Sequence, residues 1–154
     1  MLVEFSGVVQ RLTESLDREI KPDEIYQSLL DEYVVDSGPY KLVDYDLLTG
    51  REEDQRCVAR LEVNDELVNL DGEGSGPIEA FVNALVATLN EPLNIVDYHE
   101  HALRRGKDAK AICLLAIDNG ESGERCYGVG LSRNTIRSSL EAIVSALNRR
   151  WRER

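Results

Sequence analysis

An internal repeat constrains the fold of this chain more than any other feature of its sequence. The segment "ALVATLN" (84–90) corresponds residue by residue to "AIVSALN" (142–148), and "LVDYD" (42–46) corresponds to "IVDYH" (95–99). The two matches occur in the same order in each half, and a longer second hairpin, "DNGESGE", accounts for their different spacing. Self-similarity of this kind predicts a duplicated supersecondary unit.

Hydrophobic periodicity predicts three strands followed by a helix in each half. The strands are "YKLVDYDLL", "QRCVARLEV" and "ELVNL", then "LNIVDYHEHAL", "AKAICLLAI" and "RCYGVGL". The helices are "PIEAFVNALVATLN" and "NTIRSSLEAIVSALNRR", which carry apolar stripes at helical spacing. We therefore predict an α+β fold of two pseudo-symmetric βββα units, at 41–90 and 93–150, each an antiparallel sheet packed on one helix. Such a sheet has a second face that needs a covering layer or a partner.

The first forty residues differ in pattern from the rest of the chain. "VEFSGVVQ" is compatible with a short strand or an extended tail. "KPDEIYQSLLDEYV" predicts a helix, because Pro22 and two acidic residues occupy its first turn. We predict a linker subdomain at 1–40, consisting of the strand or extended segment and this helix, and a main domain at 41–154.

Composition and charge exclude several functions. A net charge of -11 argues against a nucleic-acid surface, which needs a basic stripe. No apolar run approaches the roughly 18 residues of a membrane span, and no signal peptide is recognisable, so we expect a cytoplasmic protein without a membrane partner. The cysteines Cys57, Cys113 and Cys126 lack the spacing of a metal site or a disulfide framework, and we expect them to pack as small hydrophobic residues.

His99 and His101 are the strongest candidates for a metal site. On a strand, residues at i and i+2 share a face, so the two imidazoles could bind one ion. A zinc site would need a third protein ligand, Glu100 points the other way, and the chain contains no further histidine. Solvated or hydrogen-bonded imidazoles are therefore the favoured interpretation, and a small metal enzyme is the alternative.

The glycine-rich segment "LDGEGSGPIEAF" opens the first unit's helix. It lacks the Lys-Ser/Thr of a P-loop and the G-x-G-x-x-G spacing of dinucleotide-binding proteins, which disfavours a nucleotide site. An anion cradle on helix amides and a tight connector both remain open from the residues alone. Ala109 and Ala111, on one face of the fifth strand, could line a pocket for a compact apolar ligand or pack under a helix.

Four segments, "GEGSGPIEAFVNAL", "VDYHEHAL", "GKDAKA" and "YGVGLSRNTIRSSLEAIVSALNR", resemble in order and spacing the C-terminal allosteric domain of the 2-isopropylmalate synthases. "VEFSGVVQR" and "PDEIYQSLLDEYV" are similar to the linker subdomain that precedes it in the actinobacterial-type enzymes. The resemblance implies that 41–154 is a regulatory domain, which binds L-leucine at a homodimer interface and mediates feedback inhibition of leucine biosynthesis.

The resemblance also implies a catalytic TIM barrel elsewhere in the full-length protein, which condenses acetyl-CoA with 2-oxoisovalerate. Such a barrel takes about 250 residues, so we do not expect this chain to catalyse the reaction by itself. The family's divalent metal and its H-x-H ligands belong to the barrel, and "HEHALR" does not match that context. We therefore predict no catalytic residue, no metal site and no cofactor here.

By position, the resemblance implies a leucine pocket with main-chain amides at a helix start, an apolar wall and a tyrosine. Ser75 stands where the family commonly has asparagine, so its contact is left open. The leucine ammonium would need backbone carbonyls or Asp97, although strand alternation points Asp97 away from Tyr98. The pocket residues are Gly74, Gly76, Pro77, Ile78, Ile95, Tyr98, Ala102, Ala109, Ala111 and Leu131.

Two alternatives remain beside leucine sensing and the small metal enzyme. One is the isoleucine-sensing domain of a citramalate synthase, which differs in the shape of the pocket. The other is a dimerisation module that binds no ligand.

Overall fold

The computed structural model describes residues 7, 10–11, 14–15, 18–34, 37–49, 52, 54–102, 109–121 and 123–153. The strands form two antiparallel sheets, in the orders β1-β2-β3 and β4-β5-β6. Each sheet is followed by a helix, so the predicted pair of βββα units is confirmed. The elements are α1 (Pro22–Tyr33), β1 (Tyr40–Thr49), β2 (Gln55–Val63), β3 (Glu66–Gly74), α2 (Pro77–Leu89), β4 (Asn94–Ala102), β5 (Ala111–Asp118), β6 (Cys126–Ser132) and α3 (Thr135–Arg152).

The repeat extends to an irregularity in the first strand of each unit. The register of β1 against β2 shifts between Leu42 and Asp44, and that of β4 against β5 shifts between Ile95 and Asp97. These are equivalent positions of "LVDYD" and "IVDYH". The sequence had suggested that the longer second hairpin accounts for the extra residues of the second unit. In the structure, these residues lie partly between β4 and β5 and partly in the β5–β6 loop, so the second hairpin accounts for only some of them.

Glycines let each helix lie directly on its sheet. A Cβ added to Gly72 would lie 2.5 Å from the carbonyl oxygen of Ala80 in α2. A Cβ added to Gly130 would lie 2.7 Å from the amide nitrogen of Ala142 in α3, and closer still to the carbonyl oxygen of Ser138. These distances are too short for any side chain, so both helices depend on glycine at the same place of the repeat.

One hydrophobic core runs through both units. It contains Phe81 and Leu85 of α2 together with Leu140 and Ile143 of α3, all of them buried. The cysteines are buried as predicted, and burial raises the pKa of Cys57 and of Cys113 to about 11. At neutral pH these two thiols are protonated and pack as small apolar groups.

Helix α1 covers part of the face of the second sheet that α3 leaves open. Tyr33 is fully buried against Ile112 and Val129. The guanidinium of Arg149 in α3 lies 4.3 Å from the centroid of the Tyr33 ring and donates to the Glu32 carboxylate at 3.1 Å. The predicted helix is therefore confirmed and has a defined place on the sheet.

The segment N-terminal to α1 is described in part. Of the stretch predicted to be a strand or an extended tail, the structure describes Gly7 and Gln10, and both are helical. The other residues of that prediction lie outside the described ones. None of the described helices is both long and apolar enough to cross a membrane.

Strand β1 of the first unit is tied to α3 of the second. The buried Asn148 side chain accepts from the Tyr40 amide at 3.0 Å and donates to the Tyr40 carbonyl at 2.8 Å. At the other end of α3, the hydroxyl of Tyr45 donates to Asn134 Oδ1 at 3.1 Å. Residues of β1 and α3 also line a cleft of about 540 Å³. The equivalent pair, β4 and α2, lines a second cleft.

Candidate ligand-binding site

The cleft between the N-terminus of α2 and β4 has a volume of about 610 Å³. Its walls come from both units, since α2 belongs to the first and β4 to the second. The lining residues are Ser75, Gly76, Pro77, Ile78, Glu79, Val82, Asn83, Leu93, Asn94, Ile95 and Tyr98.

The start of α2 presents backbone to this cleft. Gly76 is the N-cap in an extended conformation, and no described side chain caps the helix. A Cβ added to Gly76 would meet nothing within 4 Å among the described residues, so this position faces open space. Pro77 has no amide hydrogen, which leaves the amides of Ile78 and Glu79 as first-turn donors without a side-chain partner. Together with the helix dipole, they favour an anion at this end of the cleft.

The rest of the cleft is largely apolar, and one ionisable carboxyl group occurs among its described lining residues. Ile78 and Val82 line it from α2, and Ile95 lines it from β4. Glu79 contributes the carboxylate, which accepts a hydrogen bond from the hydroxyl of Ser75. No lysine or arginine occurs among the described lining residues. An uncapped helix start, a carboxylate and an apolar wall complement a small zwitterion with an apolar side chain.

Tyr98 stands at the mouth of the cleft with its hydroxyl already engaged. The hydroxyl donates to Glu100 Oε2 at 2.7 Å and lies 2.8 Å from Ser139 Oγ of α3. Burial, and then the bond to Glu100, raise the pKa of Tyr98 to about 12. The side chain is therefore a neutral hydroxyl at physiological pH and can donate a hydrogen bond.

Half of the residues implied by the resemblance meet in this cleft: Gly76, Pro77, Ile78, Ile95 and Tyr98. The structure gives the other half different surroundings. A Cβ on Gly74 would lie 2.6 Å from the Ala80 amide nitrogen, so Gly74 serves the contact between sheet and helix.

The remaining predicted residues lie outside the cleft. Ala102 and Ala111 are cross-strand partners on the face that carries Tyr98, farther along β4. Ala109 was predicted on the fifth strand, but β5 begins only at Ala111, two residues later. Leu131 lies on the opposite face, where it packs against the buried cluster of Tyr33.

Sequence reasoning missed several residues that line the cleft. Val82 follows Ile78 by four residues and therefore shares its helix face, a signal that was present in the sequence. Leu93 and Asn94 precede the predicted Ile95, but only the packing of β4 beside α2 identifies them.

The two histidines lie away from the cleft. Asp97 and His99 share the sheet face opposite Tyr98, with 3.0 Å between Asp97 Oδ1 and His99 Nε2. The expected orientation of Asp97 is thereby confirmed. Within the described part of the chain, no three His, Cys, Asp or Glu side chains are grouped so that they could hold a metal ion.

Fold and cleft together define an α+β domain built from a duplicated βββα unit, with a cleft between α2 of the first unit and β4 of the second. Residues 19–151 match the family described as the LeuA allosteric (dimerisation) domain, and the chain belongs to this family. The resemblance noted from the sequence is thus confirmed.

Relatives named as 2-isopropylmalate synthases support the same assignment. The chain is 37% identical to a 2-isopropylmalate synthase of Rhizobium meliloti over 96% of its own length. It is 34% identical to that of Clostridium acetobutylicum over 95% of its length, and 30% identical to the mitochondrial 2-isopropylmalate synthase 2 of Saccharomyces cerevisiae over 96%. These matches cover 26%, 27% and 26% of the relatives, so the chain spans about a quarter of their length.

Proposed function

We propose that this chain is the leucine-sensing regulatory part of a 2-isopropylmalate synthase, and that L-leucine binds in the cleft between α2 and β4. One observation carries the proposal: the cleft combines an uncapped helix N-terminus, an ionisable carboxyl group and an apolar wall. The ligand class follows from that combination, and leucine in particular follows from the resemblance to the regulatory domain of this enzyme.

In the proposed complex, each part of leucine has a complementary surface. The carboxylate lies at the first-turn amides of α2, where the helix dipole stabilises a negative charge. The isobutyl group packs against Ile78, Val82 and Ile95. The ammonium group lies beside Glu79, because Asp97 is on the other side of the sheet.

We further propose that the domain acts as a homodimer in a full-length protein that also contains the catalytic barrel. β4 is an edge strand of its sheet and is exposed along almost its whole length, which leaves backbone and side chains available to a second copy. Feedback inhibition then requires that leucine bind one arrangement of the dimer more tightly than another, since a ligand shifts an equilibrium only by its differential affinity.

Calorimetric titration of the purified chain with leucine, isoleucine and valine tests the proposed ligand. We expect micromolar binding of leucine at one site per chain and weaker binding of the other two, because one methyl position is worth about 1–3 kcal/mol. Val82→Phe fills the cleft and should weaken leucine binding by at least about tenfold. The matched control is Val58→Phe on the outer face of the first sheet, which should bind leucine as the parent does.

Each other outcome has a defined meaning. If isoleucine binds more tightly than leucine, the effector is isoleucine, and the chain is then the regulatory domain of a citramalate synthase. A folded dimer that binds none of the three amino acids would overturn the sensing function and leave dimerisation alone. Equal losses in Val82→Phe and Val58→Phe would show that leucine binds outside the cleft.

A further inference from the structure

Helix α1 is held to the rest of the molecule by a buried arginine of α3. Only 7% of Arg149 is exposed, and its guanidinium lies 4.3 Å from the centroid of the Tyr33 ring. It donates to the Glu32 carboxylate at 3.1 Å and to the Tyr127 carbonyl of β6 at 3.2 Å. A buried charge needs such partners, since removing one of them is strongly destabilising. Arg149 therefore ties α1, α3 and the second sheet together at one point.

A second anchor lies one turn earlier on α3. The buried hydroxyl of Ser145 donates to the backbone carbonyl of Tyr33, the last residue of α1. That carbonyl is one of the four that end a helix without an intrahelical partner, so α3 supplies the missing donor. Ser145 and Arg149 are four residues apart and share a helix face. We call these two residues the α1 clamp.

The two units differ in the sheet face that could receive such a helix. On the second sheet, Ile112 and Val129 are buried together with Tyr33 of α1. On the outer face of the first sheet, Arg60 and Asp44 form an ion pair with about half of each side chain exposed. Docking of α1 is therefore a specialised property of the second unit.

The other half of α3 borders the cleft between α2 and β4. Ser139 Oγ of α3 lies 2.8 Å from the hydroxyl of Tyr98, which lines that cleft. Ser139 and Arg149 are ten residues apart, or about 15 Å along the helix. The residues between them are buried, except for the half-buried Glu141. A helix packed in this way moves as one body, because a close-packed interior resists deformation.

We propose that the α1 clamp is a conformational device that couples the docking of α1 to the occupancy of the cleft, with α3 as the rigid connection. This inference rests on the proposed function and adds the route by which ligand binding reaches a second surface of the molecule. In the full-length protein proposed above, α1 lies between the catalytic barrel and the βββα units, so its docking is the signal available to the barrel.

Undocking of α1 would destabilise the position of α3. It takes two partners, the Glu32 carboxylate and the Tyr33 ring, away from Arg149, and it uncovers the apolar face beneath α1. The cleft requires α3 in its described place, because Ser139 contacts Tyr98 at the cleft mouth. Leucine should therefore bind the docked arrangement more tightly, and by linkage it should tighten the docking of α1 by the same factor.

Hydrogen exchange of the backbone amides of this chain, followed by mass spectrometry, measures the docking of α1. Without leucine, Arg149→Lys should exchange the α1 amides at least about fivefold faster than the parent, because lysine keeps the charge but loses the planar fork and the stacking on Tyr33. Ser145→Ala removes the second anchor with little change in volume and should act in the same direction. Arg152→Lys is the matched control, because Arg152 is exposed on the last turn of α3, and it should exchange as the parent does.

The same measurement with leucine separates coupling from a purely structural role of the clamp. In the parent chain, saturating leucine should slow exchange at the start of α2 and also, by at least about threefold, in α1. In Arg149→Lys the protection of α2 should persist, whereas the protection of α1 should fall to less than about half of its parent value. A clamp that only stabilises the fold would leave the leucine-dependent protection of α1 unchanged.

The outcomes distinguish this coupling from the proposed function. If leucine protects α2 but not α1, or if Arg149→Lys keeps the full protection of α1, the coupling fails and the proposed function stands. If Arg149→Lys and Arg152→Lys exchange the α1 amides equally fast without leucine, Arg149 does not hold α1, and the coupling fails as well. If leucine protects no part of the parent chain, the proposed function fails, and the coupling fails with it.

Discussion

Gly130→Ala is expected to lower the free energy of unfolding by more than about 3 kcal/mol, because a methyl group at this position has no space. The new Cβ would lie 2.7 Å from the Ala142 amide nitrogen and closer still to the Ser138 carbonyl oxygen. Both atoms are helix backbone, so the clash is relieved only if α3 moves away from its sheet. That movement exposes part of the core around Leu140 and Ile143. Urea denaturation followed by circular dichroism measures the loss.

Gly76→Ala is the control for Gly130→Ala. It introduces the same methyl group where no described atom lies within 4 Å. Because alanine is a poorer N-cap than glycine, the free energy of unfolding should fall, but by less than about 1 kcal/mol. Similar losses in the two variants would contradict the close approach of helix and sheet at Gly130.

Asn148→Ala is expected to lower the free energy of unfolding by about 2–3 kcal/mol. The side chain is buried and makes two hydrogen bonds to the backbone of Tyr40, which fix the start of β1 on α3. Alanine restores neither bond and leaves a small cavity at the junction of the two units. Thermal and urea denaturation should both report the change.

Asn69→Ala on the exposed outer face of the first sheet is the matched control for this residue type. Its free energy of unfolding should differ from that of the parent chain by no more than about 0.5 kcal/mol. If Asn148→Ala were as mild, Asn148 would not hold β1 to α3.

The sequence predicted the fold well because its repeat carries several independent signals. "LVDYD" and "IVDYH" share an apolar pattern and, in the structure, an equivalent register shift. The helices share the small residues that lie over Gly72 and Gly130. When strand pattern, helix stripe and glycine position all repeat together, few topologies remain.

The site was harder to predict because similar residues in the sequence have different neighbours in space. Gly74 and Gly76 belong to one loop, yet Gly74 lies under α2 and Gly76 faces the cleft. Spacing alone cannot distinguish these roles, since the difference depends on where the helix lies. The position of Val82 beside Ile78 was predictable from helix periodicity.

Leu131 illustrates a second limit. β5 and β6 are largely buried on both faces, because α3 covers one face and α1 partly covers the other. A strand of this kind lacks the alternation of polar and apolar residues that would assign its side chains to a face. Gly130 precedes Leu131 on β6 and faces α3. Neighbouring strand residues point to opposite faces, and only this relation shows that Leu131 lies on the side of α1.

A crystal structure of this chain with L-leucine would test the central claim most directly. The account predicts leucine density in the cleft between α2 and β4, with the carboxylate at the first-turn amides of α2 and the isobutyl group against Ile78 and Ile95. Leucine bound elsewhere, for example beside Leu131 or at the start of α3, with this cleft holding only solvent, would contradict it.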